Sequence, residues 1–257
     1  MSIFQSIQNE LTALEREEDV RILLAVESGS RAWGFHSVDS DYDVRFIYLR
    51  TREYYLRLDK QRDVIQWKLN DTLDISGWDI TKALRLLHSS NPTLFEWMNS
   101  PLVYLKHPES PFTPDWTLEY FQMKPHLHHY LNMARNNYRE NGLADNVVLK
   151  KYLYTLRPIL ACRYILSTGK PPPMPMMELV ETQLEPSLIT EVMELLEIKR
   201  QGLETGTSPR RQNINDYIDK SLVWIESEMN QLPSGFAMPW QPLNEALLRT
   251  LDLQGHI

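Results

Sequence analysis

Two short clusters in the first fifth of the chain carry residue types suited to phosphate and metal chemistry: Gly29-Ser30 and, after a spacer of ten residues, Asp41-Tyr42-Asp43. Side chains two apart on a strand share a face, so Asp41 and Asp43 would stand roughly 6–7 Å apart at Cα. Two carboxylates so placed can share divalent cations. A Gly-Ser turn entering a helix offers bare backbone N–H groups and a hydroxyl to a phosphate. Each cluster borders an apolar, strand-like run, residues 22–26 before the turn and 44–49 after the acids.

Two-metal phosphoryl chemistry uses a further acid, so that one cation activates the attacking hydroxyl while the other holds the triphosphate. Asp63, Asp71, Asp74 and Asp79 are the available acids. Asp74, flanked by Leu73 and Ile75, would project from the opposite face to both apolar neighbours. Asp79 follows Gly77, which breaks the period-two run, and an Asp where helical spacing begins is a natural N-cap. Asp74 is therefore the expected third metal ligand. Positive charge for a bound phosphate is expected from Arg31, next to the turn, and from Lys150 and Arg157, which share a face of a helix beginning at 146. Two of the clustered His126, His128 and His129 have zinc-compatible spacing, but no third ligand is evident nearby. No His-Asp partner pattern accompanies Ser28, Ser30 or Ser37, which argues against acyl transfer.

The elements that must position these residues follow from hydrophobic period. Residues 3–15 read as an amphipathic helix capped by Ser2; 22–26, 43–49 and 63–69 read as strands, and 73–76 as a short period-two run. Helical spacing starts at Asp79. The stretch 103–116, with Pro108, Pro111 and Pro114, reads as a domain junction. Beyond it the pattern is helical, at about 117–140, 146–167, 187–201, 213–231 and 243–251, with Pro158 predicting a kink in the second of these. The expected fold is α+β: a small mixed β-sheet domain over residues 1–107 and an all-α domain over 115–257. The chain of 257 residues has a net charge of −7, which argues against a broad electrostatic footprint for nucleic acid while leaving room for a local basic groove. The lone cysteine, Cys162, excludes an intrachain disulfide. No apolar run approaches the ~18 residues of a membrane span, and the acidic N-terminus is unlike a secretory signal. A cytoplasmic location is the expectation.

The order Gly-Ser, spacer, Asp-x-Asp resembles the nucleotidyltransferase signature of the DNA polymerase beta superfamily. A closer resemblance, to the bacterial and phage nucleotidyltransferase family associated with RNA repair pathways, rests on four runs. These are Gly77-Trp78-Asp79-Ile80-Thr81-Lys82-Ala83-Leu84-Arg85-Leu86-Leu87, Ser90-Asn91-Pro92-Thr93-Leu94-Phe95-Glu96-Trp97, Ser100-Pro101-Leu102-Val103-Tyr104, and Lys150-Lys151-Tyr152-Leu153-Tyr154 through Ala161. The likeness covers most of residues 22–175. It implies a polymerase-beta-like catalytic domain followed by a helical one, with Mg²⁺ (or Mn²⁺), two ions in all, and a nucleoside triphosphate between them. On this reading an acceptor hydroxyl of an RNA end, a protein or a small molecule takes a nucleoside monophosphate, and pyrophosphate leaves. Asp41 and Asp43 would ligate both ions and Asp74 the catalytic one, with Gly29 and Ser30 on the beta and gamma phosphates. The competing reading is a catalytically silent nucleotide-binding or antitoxin-like interaction protein of the same fold.

Overall fold

The computed structural model describes residues 2–139, 146–202, 207–233, 235 and 237–252. They form two compact units, one of residues 1–32, 41–120 and 237–257, the other of residues 33–40 and 121–236. The first unit therefore takes up the C-terminal segment, and the second takes up the eight residues between the Gly-Ser turn and the paired acids.

In the first unit α1 (Ile3–Glu17) leads to β1 (Arg21–Glu27), the short α2 (Gly29–Ala32) and β2 (Tyr42–Leu49). Then come α3 (Arg52–Tyr55), β3 (Val64–Leu69), β4 (Leu73–Asp79), α4 (Ile80–His88), α5 (Pro92–Met98), β5 (Val103–Lys106) and α6 (Pro114–Glu119). The sheet runs β3-β4-β2-β1-β5, with β2 and β4 parallel and every other pair antiparallel. Its central strands carry the near-continuous apolar runs seen in the sequence, because both faces are covered. Ile7, Leu11 and Leu14 of α1 pack with Ile22, Ala25, Val44, Phe46 and Ile75 in one core. Ser2 caps α1 as expected, its hydroxyl accepting from the Gln5 N–H at 3.3 Å.

Two local expectations change. The strand begun at 73 does not break at Gly77 but continues to Asp79. Gly77 keeps it flat against its neighbour, since a Cβ there would lie 2.4 Å from the Phe46 ring; the ring occupies the space a side chain would need. The Pro-bearing stretch from 103, read as a junction, supplies the edge strand β5, and its prolines fall after the strand, where no ladder N–H is required.

Asp79 is the N-cap of α4. One carboxylate oxygen accepts from the Thr81 N–H at 2.8 Å and from the Thr81 hydroxyl at 2.6 Å, the other from the Tyr55 hydroxyl at 2.8 Å. Five residues of strand, roughly 16 Å at the strand rise, separate it from Asp74.

The second unit is helical: α7 (Met123–Arg139), α8 (Leu149–Thr168), α9 (Met176–Gln183), α10 (Ile189–Arg200) and α11 (Gln212–Gln231), with β6 (Asn146–Val148) paired to β7 (Thr207–Pro209). The last helix, α12 (Gln241–Asp252), belongs to the first unit. The helix expected over 117–140 is two helices separated by residues 120–122, and residue 140 lies outside the described residues. Pro158 sits inside α8 as expected, and Gly169, at φ +67°, ends that helix in the left-handed conformation. The α9 helix was not anticipated, being short and preceded by a proline-rich connector. Leu127, Leu131, Leu153, Leu156, Ile159 and Ile218 are among the residues of this unit's core.

His126 is fully buried in this unit, and burial holds its pKa down at about 3, with His129 adding to the effect. Its ring is thus neutral in the fold, whereas the unfolded chain protonates near 6.5. Stability from this residue is present above about pH 6.5 and lost progressively as the pH falls toward 3, because the unfolded state then binds the extra proton. Urea midpoints measured across that window should fall more steeply for the native chain than for His126→Leu, whatever the variant's absolute stability. Asp79→Ala should cost about 0.5–2 kcal/mol through the lost cap, readable as a lower urea midpoint.

Candidate active site

Parallel pairing of β2 with β4 places Asp43 directly opposite Asp74. Like charges facing one another across a sheet oppose pairing unless a cation intervenes. The cation is Arg45, two residues beyond Asp43 and on the same face of β2. Its Nη2 donates to Asp43 Oδ1 at 3.0 Å and to Asp74 Oδ2 at 2.6 Å, while Nη1 donates to the backbone carbonyls of Asp74 at 2.8 Å and Val44 at 3.1 Å. The second oxygen of Asp74, Oδ1, accepts from Gln66 Nε2 at 3.2 Å.

Beside this pair lies the Gly-Ser turn. Gly29 has φ +62°, and a Cβ on it would come within 2.2 Å of Asp43 Oδ2. The turn's backbone and the carboxylate therefore touch, as only glycine permits. The Ser28 N–H donates to the Asp43 carbonyl at 2.8 Å, and Ser30 is buried at the start of the short helix. Arg31 donates from Nε to the Asp41 carbonyl at 3.0 Å and lays its guanidinium over the Tyr42 ring at 3.6 Å. Asp41 is the exposed member of the acidic set.

A buried layer supports the pair from behind. Glu27, at the end of β1, is fully buried and accepts from the Asp43 N–H at 2.8 Å through Oε1 and from the Tyr104 hydroxyl of β5 through Oε2. Burial raises its pKa to about 7 against the opposing pull of these hydrogen bonds. Burial also raises the pKa of Asp43; Arg45 lowers it, and Asp41 and Asp74 add to the rise. The sequence reading gave no role to Glu27 or Arg45, and Tyr104 entered it only within one of the runs that carry the resemblance. Arg45 had a signal, since Asp41, Asp43 and Arg45 share one parity along the strand. Tyr104 lay in the stretch read as a linker.

The second unit holds the other expected phosphate cations. Arg157 is 1% exposed, its guanidinium 4.2 Å from the Trp33 ring and its Nη2 3.4 Å from the Met174 carbonyl. Lys150 is half-buried. The two do not form one exposed stripe.

The carboxylates of Asp41, Asp43 and Asp74 are hard oxygen donors of the kind that Mg²⁺ or Mn²⁺ prefers. Asp43 Oδ2 takes no hydrogen bond from the described residues, which leaves it open to a cation. Among the described residues no three His, Cys, Asp or Glu side chains converge to close a metal site alone.

A family model described as the RNA repair pathway DNA polymerase beta family matches residues 3–249. The protein YcgL of Bacillus subtilis (strain 168), described as uncharacterized, is 42% identical over 254 residues, covering 96% of each chain. A crystal structure of a nucleotidyltransferase-like protein from Exiguobacterium sibiricum is similar at a TM-score of 0.31 and 11% identity, over 87% of this chain and 74% of that one.

The close approach of Gly29 to Asp43 can be separated from the cost of its left-handed backbone. Gly34 also has positive φ, +79°, but a Cβ there would meet no atom within 4 Å. Gly34→Ala should lose only the backbone component, about 1 kcal/mol, whereas Gly29→Ala should lose that and the steric component, about 2–3 kcal/mol in all. Urea midpoints of the two variants provide the check, with Gly29→Ala the lower.

Proposed function

We propose that this chain, which belongs to the RNA repair pathway DNA polymerase beta family, is a divalent-cation-dependent nucleotidyltransferase. The observation that carries the reading is the contact between the Gly29 turn and Asp43 Oδ2. A phosphate held on the backbone N–H groups of Gly29 and Ser30 would then lie beside the carboxylate that would hold the cation, with Asp41 two residues earlier, just before the strand begins. Membership of that family supports nucleotidyl transfer as the general chemistry; the cation, the acceptor and the residue roles are our reading.

In this reaction an acceptor oxygen bonds to the α-phosphorus of a nucleoside triphosphate, the bond from that phosphorus to the bridging oxygen breaks, and pyrophosphate departs with the electron pair. Gly29 and Ser30 grip the β and γ phosphates, and Arg31, steadied on Tyr42, offers a guanidinium at the same end of the sheet. Asp41 and Asp43 would hold a divalent cation, which when bound would supply positive charge to the phosphate oxygens and lower the pKa of the attacking hydroxyl. Glu27 fixes the Asp43 backbone, so that the carboxylate keeps its place against the turn. The chain's net charge of −7 favours a protein or small-molecule hydroxyl over a long nucleic acid as acceptor.

Incubating the full chain with each α-labelled nucleoside triphosphate and Mg²⁺ or Mn²⁺, and following label into protein, RNA or small hydroxylated compounds, tests the proposal. Transfer of label with release of pyrophosphate is expected, and its absence with all four triphosphates and all acceptors would favour the catalytically silent reading. Asp43→Asn should lower the rate at least ~10²-fold, the scale of several kcal/mol for metal-stabilised charge, while circular dichroism and the urea midpoint show the fold retained.

A further inference from the structure

The position of Arg45 bears on how many cations the site admits. Its guanidinium is anchored twice over. Nη1 bonds to carbonyl oxygens on two adjacent strands, whose positions the sheet itself fixes, and Nη2 bridges the two carboxylates. Withdrawing it would leave two carbonyls without these bonds and set Asp43 against Asp74 with nothing between. A guanidinium held on four acceptors is a permanent part of the wall, since its planar fork loses less freedom per bond than a lysine would.

The two carboxylates are not equivalent around it. Both oxygens of Asp74 are engaged, one by Arg45 and one by Gln66. Asp43 gives Oδ1 to Arg45 and keeps Oδ2 toward the Gly29 turn. Asp74 thus faces protein donors, and Asp43 faces the phosphate-binding turn. Three carboxylates with one guanidinium carry a net charge of minus two, which a single divalent cation neutralises.

From this geometry we infer that Arg45 permanently fills one of the two cation positions of the carboxylate cluster. The site then takes a single divalent ion on Asp41 and Asp43, and Asp74 is a positioning residue that orients Arg45. The inference rests on the nucleotidyl-transfer reading for the identity of the site, and it reassigns the acid expected to ligate the second ion.

Counting ions separates one from two. The full chain with saturating Mn²⁺ and α,β-methylene-ATP should bind one protein-associated Mn²⁺ and give the resolved six-line electron paramagnetic spectrum of an isolated ion. Arg45→Ala should open the second position and give two ions with the exchange-broadened spectrum of centres ~3.5–4 Å apart. Should that variant not fold, Arg45→Lys, which keeps the charge, is expected to retain the single-ion spectrum at a lower urea midpoint. Two coupled ions in the native chain would overturn the inference and leave the transferase reading standing. A second measurement needs neither metal nor nucleotide. In EDTA, the losses in urea midpoint for Arg45→Gln and Asp74→Asn should be strongly non-additive in the double variant, because either change alone breaks the same bridge. Additive losses would overturn the inference on that ground too. Absence of any bound Mn²⁺ in the native chain, together with non-additive losses, would overturn both the transferase reading and the single-ion site and leave only the Arg45 bridge standing.

Discussion

The parallel pairing of β2 with β4 sets Asp43 and Asp74 side by side, and the surrounding structure answers the charge this creates. Two carboxylates in register on adjacent strands repel, more strongly where burial removes water that would screen them. The pairing survives because Arg45, from the same strand, places one nitrogen between them. The register in turn requires the chain to return to β4 from β2 by way of α3 and the antiparallel β3, which leaves β4 free to lie parallel to β2. A one-residue slip would turn Asp43 and Arg45 to the other face together and leave Asp74 opposite Val44 or Tyr42.

The turn and the buried layer extend the same logic. Asp43 is held from three sides: its N–H by Glu27, its carbonyl by Ser28 and its Oδ1 by Arg45. The oxygen left over is the one against Gly29. Glu27 is itself an expensive residue to bury, and its raised pKa expresses that cost. Its usefulness lies in reach: from the end of β1 it ties the edge strand β5, through Tyr104, to the backbone of β2. The Ser100 hydroxyl adds a bond to the Glu27 carbonyl at 2.6 Å. The approach of the turn to the acid is thereby determined by a sheet of five strands rather than by a loop.

Much of the fold was legible in the sequence because the period of its apolar residues is clean. The α1 helix, β1, β2, β3, and the helices α8, α10, α11 and α12 fall within a few residues of where spacing placed them, since long amphipathic or doubly buried segments carry the strongest signal. What was lost was lost for physical reasons. Gly77 reads as a breaker until the Phe46 ring that needs its missing side chain is known, and that contact is between strands. The edge strand β5 is four residues with a mixed burial pattern, too short for periodicity to speak. Arg157 looked like a phosphate-binding cation on a helix face, yet it is buried on Trp33, which lies far off in the chain. Pairwise spacing along one helix says nothing about what another segment lays over it.

The site shows the same division between local and long-range information. Gly29, Ser30, Asp41 and Asp43 could be singled out by spacing because a turn and the start of the next strand contain all of them. Asp74 was singled out by its flanking residues, but its partner was not, because an Asp-x-Asp pattern directs attention to cations from solution and away from Arg45, two residues further along. The strand period puts Asp43 and Arg45 on one face of β2, with Asp41 just before the strand. An acid-x-acid-x-base run therefore has two physical readings: an open carboxylate pair that waits for metal, or a cluster already part-neutralised from within. Which one holds depends on whether the base can reach a second anchor across the sheet. Here the carbonyl and carboxylate of Asp74 provide it, at 2.8 Å and 2.6 Å, so the guanidinium is drawn along the sheet toward β4 instead of out into water.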